Sequence, residues 1–204
     1  HFMKATAAAQ AATVESPNEV VANSAYQLMQ LKLIEDKRRL KDIQSIERKI
    51  SLKAELVPDY LPYIQGVIDA NSGFQDDVLM TLFVWLVDIG DFSTAITIAE
   101  YALAHNLKPA DQFQRSIAAL LVEESADYHL RSGLKLIWEK GEIQNPERND
   151  LHTCLDQLLR ISALPESSDM HDQARAKLFK CIGYFSALLN DHEAAVTALN
   201  RALE

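Results

Sequence analysis

Hydrophobic positions along this chain recur at helical spacing from Tyr26 to the C-terminus. No segment shows sustained alternation of apolar and polar residues with β-branched enrichment, which is the pattern of a strand. Glycine and proline are also scarce, with six of each in 204 residues, and this favours long helices over many turns. The sequence therefore predicts an all-α fold.

The longest predicted helix follows a loose, alanine-rich arm at residues 1–17. Ser16 and Pro17 are typical of a helix start, in which a capping residue precedes proline at the first helical position. No glycine or proline occurs between residues 20 and 57, so we expect one helix over residues 18–57. Two apolar rows run along it at seven-residue spacing, as in an impure coiled-coil seam that packs on another helix.

The rest of the chain divides at a polar, proline-containing stretch, predicted to be a linker at residues 141–149. Residues 58–140 are predicted to form a central helical core. Within it, residues 75–90 are apolar around most of the helix circumference and are expected to be central. Residues 150–204 are predicted to form a C-terminal helical hairpin region. The chain stops inside a helical pattern, and we expect the natural protein to continue past Glu204.

One helix occurs twice in the sequence, a hundred positions apart. Residues 88–103 and 188–203 align without gaps and share an aspartate near the start, at Asp91 and Asp191. Each copy is predicted to be the second helix of a hairpin, with the aspartate as its cap. These hairpins resemble tetratricopeptide helix pairs, but such repeats recur at about 34 residues. We interpret the two copies as isolated scaffold hairpins.

Residues that could carry chemistry are few and scattered. The acidic cluster Gln75-Asp76-Asp77 precedes a helix, where carboxylates stabilise the helix dipole, so a metal site is the less favoured interpretation. The histidines have no metal-ligand spacing, and no glycine-rich phosphate loop occurs. Cys154 and Cys181 have no metal-type spacing either and are typical of thiols in a reducing compartment. The sequence predicts no catalytic residue, metal or cofactor.

The remaining signals are the apolar runs and the charge. The longest apolar run, residues 78–87, is about half the roughly 20 residues that a membrane helix needs, so we expect a soluble intracellular protein without membrane contact. The net charge of −9 disfavours non-specific attraction to nucleic acid over the whole chain.

That total hides a local excess of positive charge. Eight of the 20 lysines and arginines lie between residues 32 and 53, where four acidic residues leave a net charge of +4 against −13 elsewhere. A helix carrying such a strip can lie along phosphates and bind nucleic acid in a salt-sensitive way. A solvated coiled-coil face remains the alternative. We call this set the basic strip; its members are Lys32, Lys37, Arg38, Arg39, Lys41, Arg48, Lys49 and Lys53.

The middle of the chain carries a specific combination of short motifs. "LVPDYLPY" is followed by "GFQDDVLM", "DIGDF" and "AITIAEYAL", all within residues 56–109. This combination resembles the central block of a phage small terminase family, the M-protein type of P-two-like temperate phages. The basic helix before it and the helical C-terminal part also fit the family pattern. The resemblance covers most of the chain and is weakest over residues 110–165.

The resemblance implies a small subunit that binds the packaging site on double-stranded phage DNA in the host bacterial cytoplasm. It also implies a ring-like homo-oligomer that directs the large terminase subunit, which is the ATP-driven motor. Family members are often called the endonuclease subunit, yet no nuclease motif is present here, so we expect cleavage by the large subunit. On this interpretation the basic strip contacts DNA. Self-association is then expected through the seam residues Tyr26, Leu33, Leu40, Ile43 and Ile50.

Two other classes of function remain open. An endonuclease that itself cuts DNA at the packaging site would need a divalent metal, and Asp59, Asp76 and Asp77 would be the first candidates. A helical adapter protein would use the hairpins to bind other proteins and would be indifferent to DNA. A metal-dependent nicking assay distinguishes the first class, and a mass measurement distinguishes the second.

Overall fold

The computed structural model describes residues 17–109, 115–133, 148–164 and 170–204. Every regular element in these ranges is helical, which confirms the predicted all-α class. The α-helices are α1 (Pro17–Lys41), α2 (Ile46–Leu56), α3 (Leu61–Ala70), α4 (Asp77–Ile89), α5 (Phe92–Ala104), α6 (Ile117–Tyr128), α7 (Arg148–Ser162), α8 (Asp172–Leu188) and α9 (His192–Arg201). A 3-10 turn, Val57–Tyr60, joins α2 to α3, and a π-helical turn, His129–Gly133, follows α6.

Two predicted segments lie largely outside the described residues. The arm predicted at residues 1–17 is described only at Pro17, which opens α1. The linker predicted at residues 141–149 is described only at its last two positions, which belong to the start of α7. The domain boundaries therefore stay predictions.

Helix α4 lies at the centre of the core, as its apolar sequence predicts. From Val78 to Val87 every side chain is buried except Val84, which is half-buried. Helices α1, α2, α5 and α6 all contact α4, so its apolar surface is covered from several sides. Burial of such side chains stabilises the fold by about 1.5–3 kcal/mol each before entropy costs are counted. The position of α1 and α2 on the molecule is therefore set by α4.

The prediction of one helix over residues 18–57 is corrected by the structure. The chain leaves the helical conformation at residues 42–45 and forms two helices, α1 and α2. The break occurs without glycine or proline because Ser45 caps α2: its hydroxyl accepts a hydrogen bond from the Arg48 N–H at 3.3 Å. Serine competes for backbone donors in this way and favours a helix start over a helix interior. The break places a corner within the basic strip.

The duplicated sequence folds as two hairpins, α4–α5 and α8–α9, as predicted. Asp91 caps α5 by accepting the Thr94 N–H at 3.1 Å, and Asp191 caps α9 through the Ala194 N–H at 3.0 Å. The residue before each aspartate is left-handed, with φ of 80° at Gly90 and 66° at Asn190. Glycine and asparagine are the residues that adopt this conformation at least cost. The hairpins share their turn chemistry, while their likeness to tetratricopeptide repeats stays an interpretation.

Replacing a hairpin cap is expected to lower stability by a defined amount. Asp191→Ala should decrease the free energy of unfolding by about 1 kcal/mol, because one N–H at the start of α9 loses its acceptor. Asp191→Asn should cost much less, because asparagine caps a helix about as well as aspartate. Urea denaturation of the three proteins provides the comparison. Equal losses for the two variants would show that the carboxylate charge, not the cap, matters.

Candidate nucleic-acid interface

The basic strip occupies the second half of α1 and most of α2. The structure divides its eight cations into two sets. Five are engaged by other side chains: Lys32, Lys37, Arg38, Arg39 and Lys53. The other three lie on either side of the break between α1 and α2, and we call them the corner cations: Lys41, Arg48 and Lys49.

The buried carboxylate of Asp36 organises the first set. Asp36 is 3% exposed and accepts hydrogen bonds from Lys32 Nζ at 2.8 Å, Arg39 Nη1 at 3.1 Å and the Tyr60 hydroxyl at 2.7 Å. Lys32 also reaches Asp59 at 3.2 Å and lies 4.5 Å from the centre of the Tyr60 ring. This network ties α1 to the 3-10 turn. Lys32 and Arg39 therefore have a structural role.

The network also shifts the pKa values of Asp36 and Tyr60. Burial opposes ionisation of Asp36, but the hydrogen bonds from Lys32 and Tyr60 outweigh it and lower the pKa of the carboxyl. Burial, with the hydrogen bond to Asp36, raises the pKa of Tyr60 far above its usual value. Asp36 is thus a carboxylate and Tyr60 a neutral donor throughout the physiological pH range. The charge of Asp36 is matched within the chain by Lys32 and Arg39.

The other engaged cations have partners outside the Asp36 network. Lys53 forms an ion pair with Asp88 near the end of α4, which joins α2 to the core helix. Lys37 donates to the Thr81 hydroxyl at 3.2 Å, and Arg38 pairs with Glu35 at 2.8 Å on the exposed surface of α1. Exposed pairs such as Arg38 with Glu35 contribute little to stability. They still partly neutralise the strip as seen by a charged ligand.

The corner cations differ from these because, within the described part of the chain, none of their side chains forms an ion pair or a hydrogen bond with another side chain. Lys41 and Arg48 are exposed and Lys49 is half-buried. Arg48 and Lys49 lie in the first turns of α2, where the helix dipole is positive and cations are unfavourable. Only Asp42 and Glu47 are acidic between Lys41 and Lys49. An anion bound at this corner would relieve the excess of positive charge.

The predicted self-association residues do not form one exposed surface. Leu33 and Leu40 are 5% and 7% exposed and belong to the core of their own chain. Tyr26 and Ile43 are half-buried, and Ile50 is 37% exposed. The seven-residue spacing of Leu33 and Leu40 is explained by packing within the chain. Their role in contacts between copies stays a prediction.

The three aspartates considered for an endonuclease have separate surroundings. Asp59 is exposed and pairs with Lys32, while Asp77 begins α4. Asp76 caps α4 by accepting the Leu79 N–H at 2.8 Å and also accepts a hydrogen bond from Tyr63. Burial raises the pKa of Asp76 despite these hydrogen bonds. Among the described residues, no group of three or more His, Cys, Asp or Glu side chains is placed to hold a metal.

A buried histidine was not identified from the sequence. His129, in the π-helical turn after α6, is 3% exposed and surrounded by the rings of Phe92, Tyr128 and Phe185. Its Nε2 atom has no hydrogen-bond partner among the described residues. Burial lowers the pKa of His129 to about 4. A single histidine in an amphipathic pattern gives no signal that separates this environment from an exposed one.

Comparison with known proteins identifies the family of this chain. The family model described as phage small terminase subunit matches residues 30–173, and the chain belongs to this family. The matched segment includes the basic strip, the Asp36 network and the central helix α4. Within the described ranges, no helix has both the length and the apolar character needed to cross a membrane.

Two curated relatives carry related names. The chain is 34% identical over all 204 residues to the "Terminase, endonuclease subunit" of Escherichia phage P2, covering 76% of that protein. It is 24% identical over 100 residues to the "Probable terminase, endonuclease subunit" of Haemophilus phage HP1 (strain HP1c1), covering 48% of this chain and 36% of that protein. No solved structure matches the chain. The chain therefore has a role in a phage terminase.

Proposed function

We propose that this protein is the DNA-recognition subunit of a phage terminase in the host bacterial cytoplasm. It binds double-stranded phage DNA through the corner cations, assembles with copies of itself and directs the large subunit, which supplies ATP hydrolysis and cleavage. The observation that carries the proposal is the presence, at one corner of a family member, of three cations whose side chains have no side-chain partner among the described residues.

We assign DNA binding to the corner cations and not to the whole basic strip because the cations differ in their partners. Lys32, Arg39 and Lys53 have carboxylate partners, so a phosphate would have to compete with these partners. Lys41, Arg48 and Lys49 have no such partners, and their contacts with phosphates would release the counterions condensed on DNA, which is the main source of non-specific affinity. Phosphate contacts of this kind position a protein on DNA without reading its sequence. The corner therefore supplies affinity in this proposal.

A second candidate function is suggested by the names of both relatives, which contain the words endonuclease subunit. In that case the chain alone would nick DNA in the presence of Mg²⁺ or Mn²⁺. Asp59, Asp76 and Asp77 would then be the first residues to replace. An assay on supercoiled DNA with and without EDTA separates this function from DNA binding alone.

DNA binding through the corner is tested by a corner variant that carries Lys41→Gln, Arg48→Gln and Lys49→Gln. We expect this variant to bind duplex DNA about tenfold or more weakly than the parent at moderate salt, because three phosphate contacts are lost. The loss should be similar for packaging-site and unrelated duplexes, because phosphate contacts carry no sequence information. Fluorescence anisotropy with a labelled duplex measures both affinities.

The matched control removes three other exposed cations: Lys108→Gln, Lys180→Gln and Arg201→Gln. It changes the net charge by the same amount as the corner variant, so a smaller loss of affinity locates the contact at the corner. Equal losses in the two variants would contradict the proposal, since binding would then follow net charge alone. Arg39 is left unchanged because it pairs with the buried carboxylate of Asp36, and its replacement would disturb that network.

A further inference from the structure

Helix α1 presents a second, apolar surface that faces away from the core. Leu28, Leu31 and Ile34 follow one another at three-residue spacing and are 62%, 66% and 66% exposed. Residues three apart lie side by side on a helix, so these side chains form one continuous stripe. Large aliphatic side chains grouped in this way are typical of an interaction surface, whereas single exposed ones are ordinary. We call Leu28, Leu31 and Ile34 the α1 stripe.

A groove runs beside the stripe, between α1 and the start of α4. It has a volume of about 510 Å³, and its apolar lining residues are Leu31, Leu33, Ile34 and Val78. Lys37 and Asp77, which carry opposite charges, also line it. Two members of the stripe therefore also line the groove. The same patch offers projecting aliphatic side chains and a depression that can receive them.

We propose that the α1 stripe is covered by the same stripe of a second copy of this chain. An interface across a two-fold axis uses one patch on both copies, so the patch must be complementary to itself. This patch meets that condition because it contains both the projecting residues and the groove. The charges of the patch are also complementary to themselves. Each copy offers one cation, Lys37, and one anion, Asp77.

The charges on α1 favour an antiparallel arrangement of the two stripes. Arg38 lies seven residues beyond Leu31, which is about 10 Å along a helix with 1.5 Å rise per residue. If the helices cross near Leu31, the two Arg38 side chains lie on opposite sides of the crossing and do not repel each other. A parallel arrangement would bring them together.

This inference rests on the self-assembly in the proposed function and specifies its surface. It uses a different face of α1 from the predicted seam, in which Leu33 and Leu40 belong to the core of their own chain. A two-fold contact alone joins two copies, and a ring needs a second, different contact. The α1 stripe therefore accounts for a pairing step.

The test compares the parent with a stripe variant carrying Leu28→Gln, Leu31→Gln and Ile34→Gln. Light scattering coupled to size exclusion, over a range of concentrations, gives the mass of each protein. We expect the parent to have at least twice the single-chain mass of 22.9 kDa and the variant to dissociate at least tenfold more readily. A control with Leu159→Gln, Val196→Gln and Leu203→Gln, which are also exposed, should keep the mass of the parent.

Each contrary result has a separate meaning. A parent of single-chain mass at every concentration would overturn both the surface and the proposed self-assembly. A parent assembly that the stripe variant leaves intact would overturn the surface alone. Circular dichroism verifies that the variant keeps its helices. Should the variant unfold, Leu31→Cys supplies the test: oxidation should link two copies, and a failure to link them in an assembled protein overturns the two-fold contact. DNA affinity is measured separately and tests whether the corner cations contact DNA.

Discussion

Replacing His129 by leucine is expected to remove a pH dependence of stability worth about 3 kcal/mol. The pKa of His129 is lowered from 6.5 to about 4 by burial, so the unfolded chain binds a proton more readily than the folded chain between these values. The free energy of unfolding of the parent therefore falls as the pH decreases from about 6.5 to about 4. Leucine cannot be protonated and is apolar, like the surrounding rings of Phe92 and Phe185.

The comparison requires urea denaturation of both proteins at several pH values from 7 to 4. Burial raises the pKa of Asp76, which contributes in the opposite direction within this range, so the difference between parent and His129→Leu isolates the histidine. The lowered pKa of Asp36 acts only at more acidic pH. The account expects the His129→Leu protein to gain stability relative to the parent as the pH falls. Parallel pH profiles would show that His129 is accessible to protons in the folded state.

The second large effect on stability is expected when the Asp36 carboxylate, at the centre of the network that ties α1 to the 3-10 turn, is removed. Asp36→Ala should lower the free energy of unfolding by about 3 kcal/mol, because the Tyr60 hydroxyl, fully buried, loses its acceptor. Lys32 still has Asp59 as an ion-pair partner, so the loss of its contact with Asp36 costs less stability than the loss at Tyr60. Adding Tyr60→Phe to Asp36→Ala should restore part of the stability, because the stranded hydroxyl is then absent.

The matched control for this prediction is Asp59→Ala. Asp59 also pairs with Lys32, but its side chain is 63% exposed, so its removal should cost less than about 1 kcal/mol. Denaturation of the parent and the three variants at neutral pH supplies all the values. If Asp36→Ala and Asp59→Ala had equal effects, the buried network would not anchor α1.

The hairpins could be predicted from the sequence because all their determinants are local. Asp91 and Asp191 act on N–H groups three residues away, and Gly90 occupies the left-handed turn between α4 and α5. The all-α class follows from the same local periodicity, which extends over most of the chain.

The sequence pattern predicts no break in the N-terminal helix, although the structure has one. Its signal was present as Ser45 before α2, but the absence of glycine and proline favoured a continuous helix. The Ser45 hydroxyl competes with backbone carbonyls for the N–H groups of the helix. The packing of α2 on α4 then favours two helices over one. At this position a capping serine marks the break that glycine or proline would otherwise have indicated.

The division of the basic strip could not be predicted, because it depends on residues far away in the sequence. Lys53 meets Asp88, 35 positions later, and Tyr60 reaches back 24 positions to Asp36. A count of charges gives the net charge of the strip but not which cations have partners. Periodicity likewise indicated that Leu33 and Leu40 are covered, without indicating whether the same chain or another copy covers them.

The salt dependence of DNA binding tests the central claim most directly. The logarithm of the association constant is measured against the logarithm of salt concentration for the parent, the corner variant and the control variant. Each lost phosphate contact reduces the slope by about 0.9, so the corner variant should lose between about 2 and 3 units of slope while the control keeps the parent value. A corner variant with the slope of the parent would show that Lys41, Arg48 and Lys49 do not contact DNA.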